Sequence, residues 1–294
     1  MRPASGGSSG PGAPITLAQA LTDAKALGVD RLDAQLLLAR LLDRSRTWLL
    51  AHDDMVLDAA QSSHFRSELV RRASGEPLAY LLGEKEFHGL LLRVDANVLV
   101  PRPETELLVD WALELLGGPF AKIAVPRVVD LGTGSGAIAV AVKHACRSAD
   151  VIATDASPAA LQVARANAAR LALNVAFASG SWWDAVPGRC FDLALSNPPY
   201  IAGADSHLAA LTHEPLEALT PGGDGLDSLR AIVAGAARHL EQSGWLLLEH
   251  GYDQARMVQS MLREQGFEVI ETRRDLAGLP RCTGGRRPTT GAAA

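Results

Sequence analysis

The sequence has few cysteines and no long apolar run. Its three cysteines, Cys146, Cys190 and Cys282, lie far apart and lack the spacing of metal ligands. They therefore indicate free thiols in a reducing compartment and not a disulfide framework. No apolar run approaches the ~18 residues that span a bilayer, and the first residues lack the charged and then apolar order of a secretory signal. We expect a cytoplasmic protein without a membrane partner.

An excess of basic residues is also absent. The formal net charge is −5, whereas a broad nucleic-acid footprint requires a basic domain. We therefore expect no direct binding of nucleic acid. Apolar residues make up 48% of the chain and charged residues 21%, which is typical of a globular protein. The 294 residues are enough for one large domain and a smaller one, and we expect a monomer.

The N-terminal part of the chain has a helical pattern. Thr16 is placed to cap a helix that ends at Ala26, and Asp30 to cap one from Arg31 to Leu42. The leucines of the second segment recur at helical spacing, which indicates a helical core. The predicted divisions are a disordered tail at 1–14, a helical domain at 15–84, a β-hairpin connector at 85–100, a larger domain at 101–288 and a frayed tail at 289–294.

The larger domain alternates between strand and helix patterns. Such alternation predicts a doubly wound α/β fold with a mostly parallel sheet. Seven strands are expected, at residues 127–131, 151–155, 174–178, 191–195, 244–249, 267–272 and 281–287.

A glycine-rich loop follows the first of these strands. Gly132-Thr133-Gly134-Ser135-Gly136 stands between that strand and a helix beginning at Ala137. Glycines let the backbone turn tightly and approach a ligand, and the helix start presents free N–H groups. Asp155 ends the next strand, where an acid can accept the hydroxyls of a ribose. The loop also fits the loose dinucleotide fingerprint, so it predicts a nucleoside-bearing cofactor without choosing between two classes.

The segment Asn197-Pro198-Pro199-Tyr200 follows the apolar run from Phe191 to Leu195. Two prolines remove two backbone donors and restrict the residues before them, so the segment is a rigid ledge with one amide side chain. It could be a stiff turn that ends a strand. Such a ledge also suits a flat polar group, an amide or a nucleobase edge. Methyl transfer to a planar nitrogen uses such acceptors, whereas hydride transfer does not.

The glycine loop, preceded by Asp130-Leu131, and the ledge together resemble the class I S-adenosylmethionine-dependent methyltransferases that act on nitrogen. More specific segments resemble the bacterial protein-(glutamine-N5) methyltransferases of peptide chain release factors. They are Gly75 to Tyr80, Val100 to Glu106, Glu249-His250-Gly251 and Arg274 to Gly278. The resemblance covers roughly residues 16 to 287, and the segment Pro101 to Thr105 favours the release-factor enzyme over the relative that modifies a ribosomal protein.

The resemblance implies a class I methyltransferase fold, a helical domain that recognises the substrate protein, and methylation of the glutamine in the Gly-Gly-Gln motif of release factors. It implies that S-adenosylmethionine is the methyl donor, that S-adenosylhomocysteine is the product, and that no metal is needed. The cofactor would contact Gly132, Thr133, Gly134, Ser135, Gly136, Asp155, Trp182 and Asn197. The substrate glutamine would contact Asn197, Pro198, Pro199 and Tyr200, with Asn197, Pro198 and Tyr200 as catalytic residues.

One position departs from the family pattern. Ser181 stands where the family commonly has an Asp before Trp182, so acceptance of the adenine amino group at this position is weakened. Trp183 is expected to pack in the core. Arg102 and Glu249 are further candidates near the same rim, and each could equally form a structural ion pair.

Three other functions fit parts of the sequence. The chain could methylate a glutamine of a large-subunit ribosomal protein, or the N6 atom of adenine in a nucleic acid, since Asn-Pro-Pro-Tyr is shared with adenine methyltransferases. The net negative charge of the chain argues against a methyltransferase that acts on nucleic acid. The third alternative is a protein that binds a nucleoside and catalyses no reaction. The intact glycines, Asp155 and the complete ledge argue against it.

Overall fold

The computed structural model describes residues 14–289. The chain divides into two compact units, the first ending at Gly83 and the second beginning at Glu84. The tails predicted at 1–14 and 289–294 lie outside the described residues, except for Pro14 and Thr289.

The first unit is built from short helices. Two of the helix starts are capped as predicted: Thr16 Oγ1 accepts from the Gln19 N–H at 3.2 Å, and Asp30 Oδ1 accepts from the Leu32 N–H at 2.7 Å. The elements are β1 (Ile15–Thr16), α1 (Leu17–Ala26), α2 (Arg31–Leu42), α3 (Arg46–Ala51), β2 (Val56–Leu57), α4 (Ala59–Ala73) and α5 (Leu78–Leu82). The short antiparallel pair β1–β2 was not predicted, because two residues are too few to show a strand period.

The leucine stripes of the first unit form its core, as predicted. Leu37, Leu38 and Leu57 are completely buried and pack with Phe65 and Leu69. Burying one such side chain stabilises the fold by about 1.5–3 kcal/mol. The helices of this unit are therefore stabilised mainly by packing.

The second unit begins with the predicted β-hairpin. Strand β3 (Glu84–Phe87) pairs with β4 (Leu90–Arg93), and Phe87 stands opposite Leu90. The turn residues His88 and Gly89 both have positive φ, 50° and 74°, as a two-residue type I′ turn requires.

A seven-stranded sheet forms the centre of the second unit. In chain order its elements are α6 (Glu106–Gly117), β5 (Arg127–Leu131), α7 (Ala137–Ala145), β6 (Asp150–Asp155), α8 (Pro158–Arg170), β7 (Ala176–Ser179), β8 (Phe191–Ser196), α9 (Asp227–His239), β9 (Leu240–Glu249), α10 (Ala255–Glu264), β10 (Glu268–Arg274) and β11 (Pro280–Arg286). The strand order is β10-β11-β9-β8-β5-β6-β7, and β11 runs antiparallel to both its neighbours. The predicted mostly parallel sheet is confirmed.

Apolar residues cover both faces of this sheet. Val128 and Leu193 face a cluster that contains helices α6 and α7. Their neighbours Val129 and Ala194 face the opposite cluster, with α9 and α10. Strands buried on both faces read as continuous apolar runs, which explains the run Phe191 to Leu195.

The order of the strands places the functional segments. The chain passes from β5 through β6 to β7 on one side, and then returns to place β8 on the other side of β5. The carboxyl ends of β5 and β8 therefore mark a topological switch point, where open α/β sheets bind ligands. The glycine loop follows β5 and the Asn-Pro-Pro-Tyr ledge follows β8.

Among the helices of residues 14–289, none is both long and apolar enough to cross a membrane.

Candidate active site

A cavity of about 210 Å³ opens at the carboxyl ends of β5, β6 and β8. Apolar and polar side chains share its wall. Of the predicted site residues, the lining contains Gly132, Thr133, Gly134, Ser135, Asp155, Trp182, Asn197 and Pro199. The predicted residues Gly136, Pro198 and Tyr200 are not part of the lining.

All three glycines of the loop have left-handed backbone angles. The φ values are 72° at Gly132, 55° at Gly134 and 83° at Gly136. A Cβ at Gly132 would lie 3.1 Å from the Trp182 ring, and a Cβ at Gly136 would lie 3.1 Å from the Ala164 Cβ. Glycine is therefore needed at Gly132 for close approach to the tryptophan, and at Gly136 for packing of α7 on α8.

Asp130 fastens this loop to the end of β5. Its side chain is completely buried, and its Oδ2 accepts from the Thr133 hydroxyl at 2.5 Å and from the Ala139 N–H at 3.2 Å. Burial raises the pKa of Asp130 to about 7, although the Thr133 hydroxyl and the Ala139 amide lower it. Its Oδ1 has no hydrogen-bond partner among the described residues. Asp130 thus holds both the glycine turn and the first turn of α7.

Asp155 joins the end of β6 to the same loop. Its Oδ2 accepts from the Gly134 N–H at 2.9 Å, and its Oδ1 accepts from the Ser157 N–H at 2.8 Å. Burial raises the pKa of Asp155, and the backbone donors counteract that effect. Each carboxylate oxygen keeps a further acceptor site, so these bonds leave Asp155 able to accept the hydroxyls of a ligand.

The two adjacent tryptophans after β7 have different surroundings. Trp182, at φ 49°, lies in the cavity wall next to Ser181. Trp183 is buried, donates from Nε1 to the Ile232 carbonyl at 2.8 Å and stacks on His239. The prediction that Trp183 packs in the core is confirmed.

Asn197 is held by a hydroxyl from a distant segment. Its Nδ2 donates to Thr105 Oγ1 at 3.1 Å. Ser196, just before it, donates to the Leu131 carbonyl at 2.6 Å and so joins β8 to β5. Asn197 is part of the cavity lining, and with Nδ2 bound to Thr105 its Oδ1 has no protein donor within residues 14–289.

Tyr200 is held by hydrogen bonds of both its side chain and its backbone. Its hydroxyl donates to Glu249 Oε1 at 3.1 Å, and its carbonyl accepts from Gln254 Nε2 at 2.8 Å. Burial and the Glu249 carboxylate raise the pKa of Tyr200 above its usual value. The tyrosine therefore remains protonated, and its bonds to Glu249 and Gln254 hold the ledge in place.

The structure also adds residues that the sequence did not indicate. The segment Asn97–Leu99 and the loop residues Pro215, Glu217 and Ala218 line the cavity. Buried Glu214 holds this loop: it accepts from the Val100 N–H at 3.0 Å and pairs with Arg102 at 2.5 Å. The only indication of this contact in the sequence was Arg102, which lies between two prolines. Nothing in the sequence pointed to Glu214, 112 residues away.

Within residues 14–289, no group of three or more His, Cys, Asp or Glu side chains is arranged to hold a metal ion.

Family models match most of the described chain. The model described as the PrmC N-terminal domain matches residues 16–83. The model described as the methyltransferase small domain matches residues 106–271.

Individual relatives match over nearly their whole length. A release factor glutamine methyltransferase of Bordetella pertussis is 49% identical over 261 residues, which cover 88% of this chain and 95% of that protein. One from Xylella fastidiosa strain Temecula1 is 46% identical over 278 residues, which cover 94% and 98%.

Solved structures share the fold at low identity. The hMettl16 catalytic domain in complex with MAT2A 3′UTR hairpin 1 has a TM-score of 0.55 and 13% identity, covering 78% of this chain and 83% of that one. A T. thermophilus 16S rRNA methyltransferase (RsmC) in complex with AdoMet and guanosine has a TM-score of 0.51 and 19% identity, covering 69% and 49%. At such identities the likeness shows a common fold.

Proposed function

The chain belongs to the release factor glutamine methyltransferase family, and from this premise we propose its reaction. It transfers a methyl group from S-adenosylmethionine to the side-chain amide nitrogen, N5, of the glutamine in the Gly-Gly-Gln motif of peptide chain release factors. One observation supports this above the others: Asn197 lines a cavity that begins at the glycine loop, and its Nδ2 is bound to Thr105, so its Oδ1 is available as an acceptor.

The residues around the cavity suit S-adenosylmethionine. Gly132 and Gly134 would leave room for the methionine end, Asp155 would accept the ribose hydroxyls, and Trp182 would pack against the adenine. Ser181 offers the adenine amino group a weaker acceptor than an Asp would. When bound, the cofactor supplies a methyl group on a positively charged sulfur. The transfer, as proposed, needs no metal ion.

The ledge prepares the substrate nitrogen. An amide nitrogen is a poor nucleophile because its lone pair is delocalised into the carbonyl. The Asn197 Oδ1 and the Pro198 carbonyl would accept its two N–H groups and so orient the nitrogen for attack on the methyl group. Holding reactants in this geometry supplies several kcal/mol, out of the roughly 7–11 kcal/mol available to full pre-orientation.

The same two oxygens stabilise the transition state. Positive charge would grow on the nitrogen as it bonds to the methyl carbon, while the bond from that carbon to sulfur breaks and leaves its electron pair on a neutral sulfur; one N–H proton would then pass to water. Hydrogen bonds from an increasingly positive donor become stronger, so they favour the transition state over the bound substrate. Tyr200 acts indirectly in this scheme, by bracing the ledge through Glu249.

We further propose roles for the parts of the chain. Residues 15–84 recognise the substrate protein, residues 85–100 connect the two parts, and residues 101–288 bind the cofactor and perform the transfer. The three free thiols fit a reducing compartment, and we propose a cytoplasmic monomer, which analytical ultracentrifugation can test.

The decisive experiment uses isotopically labelled S-adenosylmethionine and purified, nuclease-treated release factor. Mass spectrometry of the peptides should locate one added methyl group on the glutamine of Gly-Gly-Gln. A release factor with that glutamine changed to alanine is the control and should take no label. If a ribosomal protein or a nucleic acid takes the label and release factor takes none, the proposed methyl transfer stands and the proposed substrate is wrong.

A further inference from the structure

Glu249 is a buried carboxyl group beside the ledge. It ends β9, the strand next to β8, and the register places Leu248 opposite Ser196. Its exposure is only 1%. The Tyr200 hydroxyl donates to Oε1 at 3.1 Å, whereas no donor in residues 14–289 hydrogen-bonds to Oε2. A buried carboxylate oxygen without a partner is costly, so its place next to the ledge needs a reason.

Thr105 connects this carboxyl group to Asn197. It is buried, at the end of the short 3₁₀ turn Pro103–Thr105. Its oxygen accepts from Asn197 Nδ2, so its own proton is free for another acceptor. Its hydroxyl is near enough to Glu249 to lower the pKa of that carboxyl group. Asn197, Thr105 and Glu249 therefore form one row of polar groups, with Tyr200 on the far side.

Several charges act on Glu249 from the surrounding elements. Burial raises the pKa of Glu249 to about 7, and Glu104 raises it further. The hydroxyls of Thr105 and Tyr200 and the charge of Arg281 lower it. Arg281 also pairs with Asp275 at 2.9 Å, and Cys282 stands opposite Glu249 on β11. Burial and these neighbours thus bring the pKa of Glu249 from the ordinary range of a carboxyl group toward neutral pH.

We propose that Glu249 is a positioning residue, which sets the orientation of the Asn197 amide through the Thr105 hydroxyl. The inference rests on the proposed function. An ionised Glu249 accepts the Thr105 proton, so the Thr105 oxygen must accept from Asn197. Asn197 then turns its Nδ2 toward Thr105 and its Oδ1 toward the substrate amide.

Protonation of Glu249 reverses this row of hydrogen bonds. A protonated carboxyl group donates to the Thr105 oxygen, and Thr105 then donates to Asn197. The Asn197 amide satisfies this arrangement by presenting Oδ1 to Thr105 and its NH₂ group to the cavity. In this orientation the NH₂ group of Asn197 faces the NH₂ group of the substrate glutamine. Two donors then meet, and the substrate loses Asn197 Oδ1 as its acceptor.

The first test compares Thr105→Val with Thr105→Ser. Valine keeps the size of the side chain and removes the hydroxyl, whereas serine keeps the hydroxyl. We expect Thr105→Val to lower kcat by about tenfold or more, with the Kd for S-adenosylmethionine unchanged, and Thr105→Ser to retain most of the wild-type kcat. Equal kcat values for wild type and Thr105→Val would overturn the proposal.

The second test is the pH profile of kcat/KM, which reports groups of the free enzyme. In the wild type, kcat/KM should fall as the pH decreases through about 7. In Glu249→Gln the side chain at this position cannot titrate, so the fall at low pH, the acid limb of the profile, should disappear. The kcat/KM of this variant should be lower than that of the wild type. Tyr200→Phe removes a donor that favours the ionised form, so it should move the limb to higher pH.

The possible outcomes separate the two claims. An acid limb of wild-type shape in Glu249→Gln would overturn the role of Glu249 and leave the proposed function intact. Absence of any methylation of release factor by the wild-type chain would overturn both. Thermal melting of each variant identifies a loss of fold, and the Thr105 pair decides the question if Glu249→Gln does not fold.

Discussion

At the scale of single residues, the chemistry of the cavity depends on which end of one amide faces it. The oxygen and nitrogen of an asparagine side chain have nearly the same size, so only hydrogen bonds distinguish their positions. Thr105 accepts from the Asn197 Nδ2 at 3.1 Å and leaves the oxygen for a ligand. The prediction of Asn197 as an acceptor came from the motif, whereas its orientation depends on a residue 92 positions earlier.

Asn197→Ala tests this residue directly. The substitution removes the acceptor and leaves the glycine loop, Asp155 and Trp182 in place. We expect a loss of turnover of about 100-fold or more, the size seen when one group that stabilises a transition state is removed. Binding of S-adenosylmethionine, measured by calorimetry, should remain nearly unchanged.

Asn174→Ala, in the exposed turn before β7, is the matched control and should retain wild-type turnover. An equal loss of cofactor binding and turnover in Asn197→Ala would contradict a specific role toward the substrate.

At the scale of the elements, helix α9 packs unusually closely on the turn after β7. Gly235 of α9 has no side chain, and the Trp183 indole fills the space: a Cβ at this position would lie 2.2 Å from the ring. Trp183 also donates to the Ile232 carbonyl of the same helix. This packing fixes the turn that carries Trp182, so α9 supports the cavity wall without lining it.

Gly235→Ala should therefore destabilise the protein, although alanine favours helices. We expect the overpacking to lower the free energy of unfolding by about 1–3 kcal/mol, measured by urea denaturation. Gly117→Ala is the matched helical control, because nothing lies within 4 Å of its added Cβ. It should be neutral or slightly stabilising. A stable Gly235→Ala would show that the Trp183 ring can move aside.

At the scale of the whole molecule, two acids of the sheet, Asp130 and Glu249, are at most 1% exposed. Asp130 lies just before the glycine loop and Glu249 lies near the ledge. Burial raises the pKa of each to about 7. At these two groups the folded state therefore holds more protons than the unfolded state between about pH 4 and pH 7. Their contribution to stability is fully present below the unfolded pKa values and is lost as the pH rises through about 7.

We expect the free energy of unfolding to increase as the pH is lowered from about 8 to about 6. One such group contributes at most about 1.4 kcal/mol per pH unit. Urea denaturation at the two pH values measures the change, and Asp130→Asn should show a smaller one. A pH dependence of wild-type size in Asp130→Asn would indicate that Asp130 does not titrate in this range. Stability and activity thus respond to pH in opposite directions, since ionised Glu249 favours turnover.

Local patterns determined much of the fold. The caps Thr16 and Asp30, the hairpin turn at Gly89 and the strand, loop and helix around Gly132 to Gly136 are all set by neighbouring residues, and the structure agrees with each prediction. Side-chain periodicity and turn preferences act over a few positions, so they can be read from the sequence. The pair β1–β2 was missed because it has no such period.

The tertiary structure alone decided how the site is held. The Tyr200 hydroxyl reaches Glu249, 49 residues away, and Glu214 fastens the loop at the cavity to Arg102 and Val100. These contacts join residues far apart in the chain, and no local pattern encodes them. The sequence by itself determined which groups stand at the ends of the strands. Which way each group faces was decided by packing and by hydrogen bonds between distant segments, because a buried polar group must find its partner wherever the fold brings one.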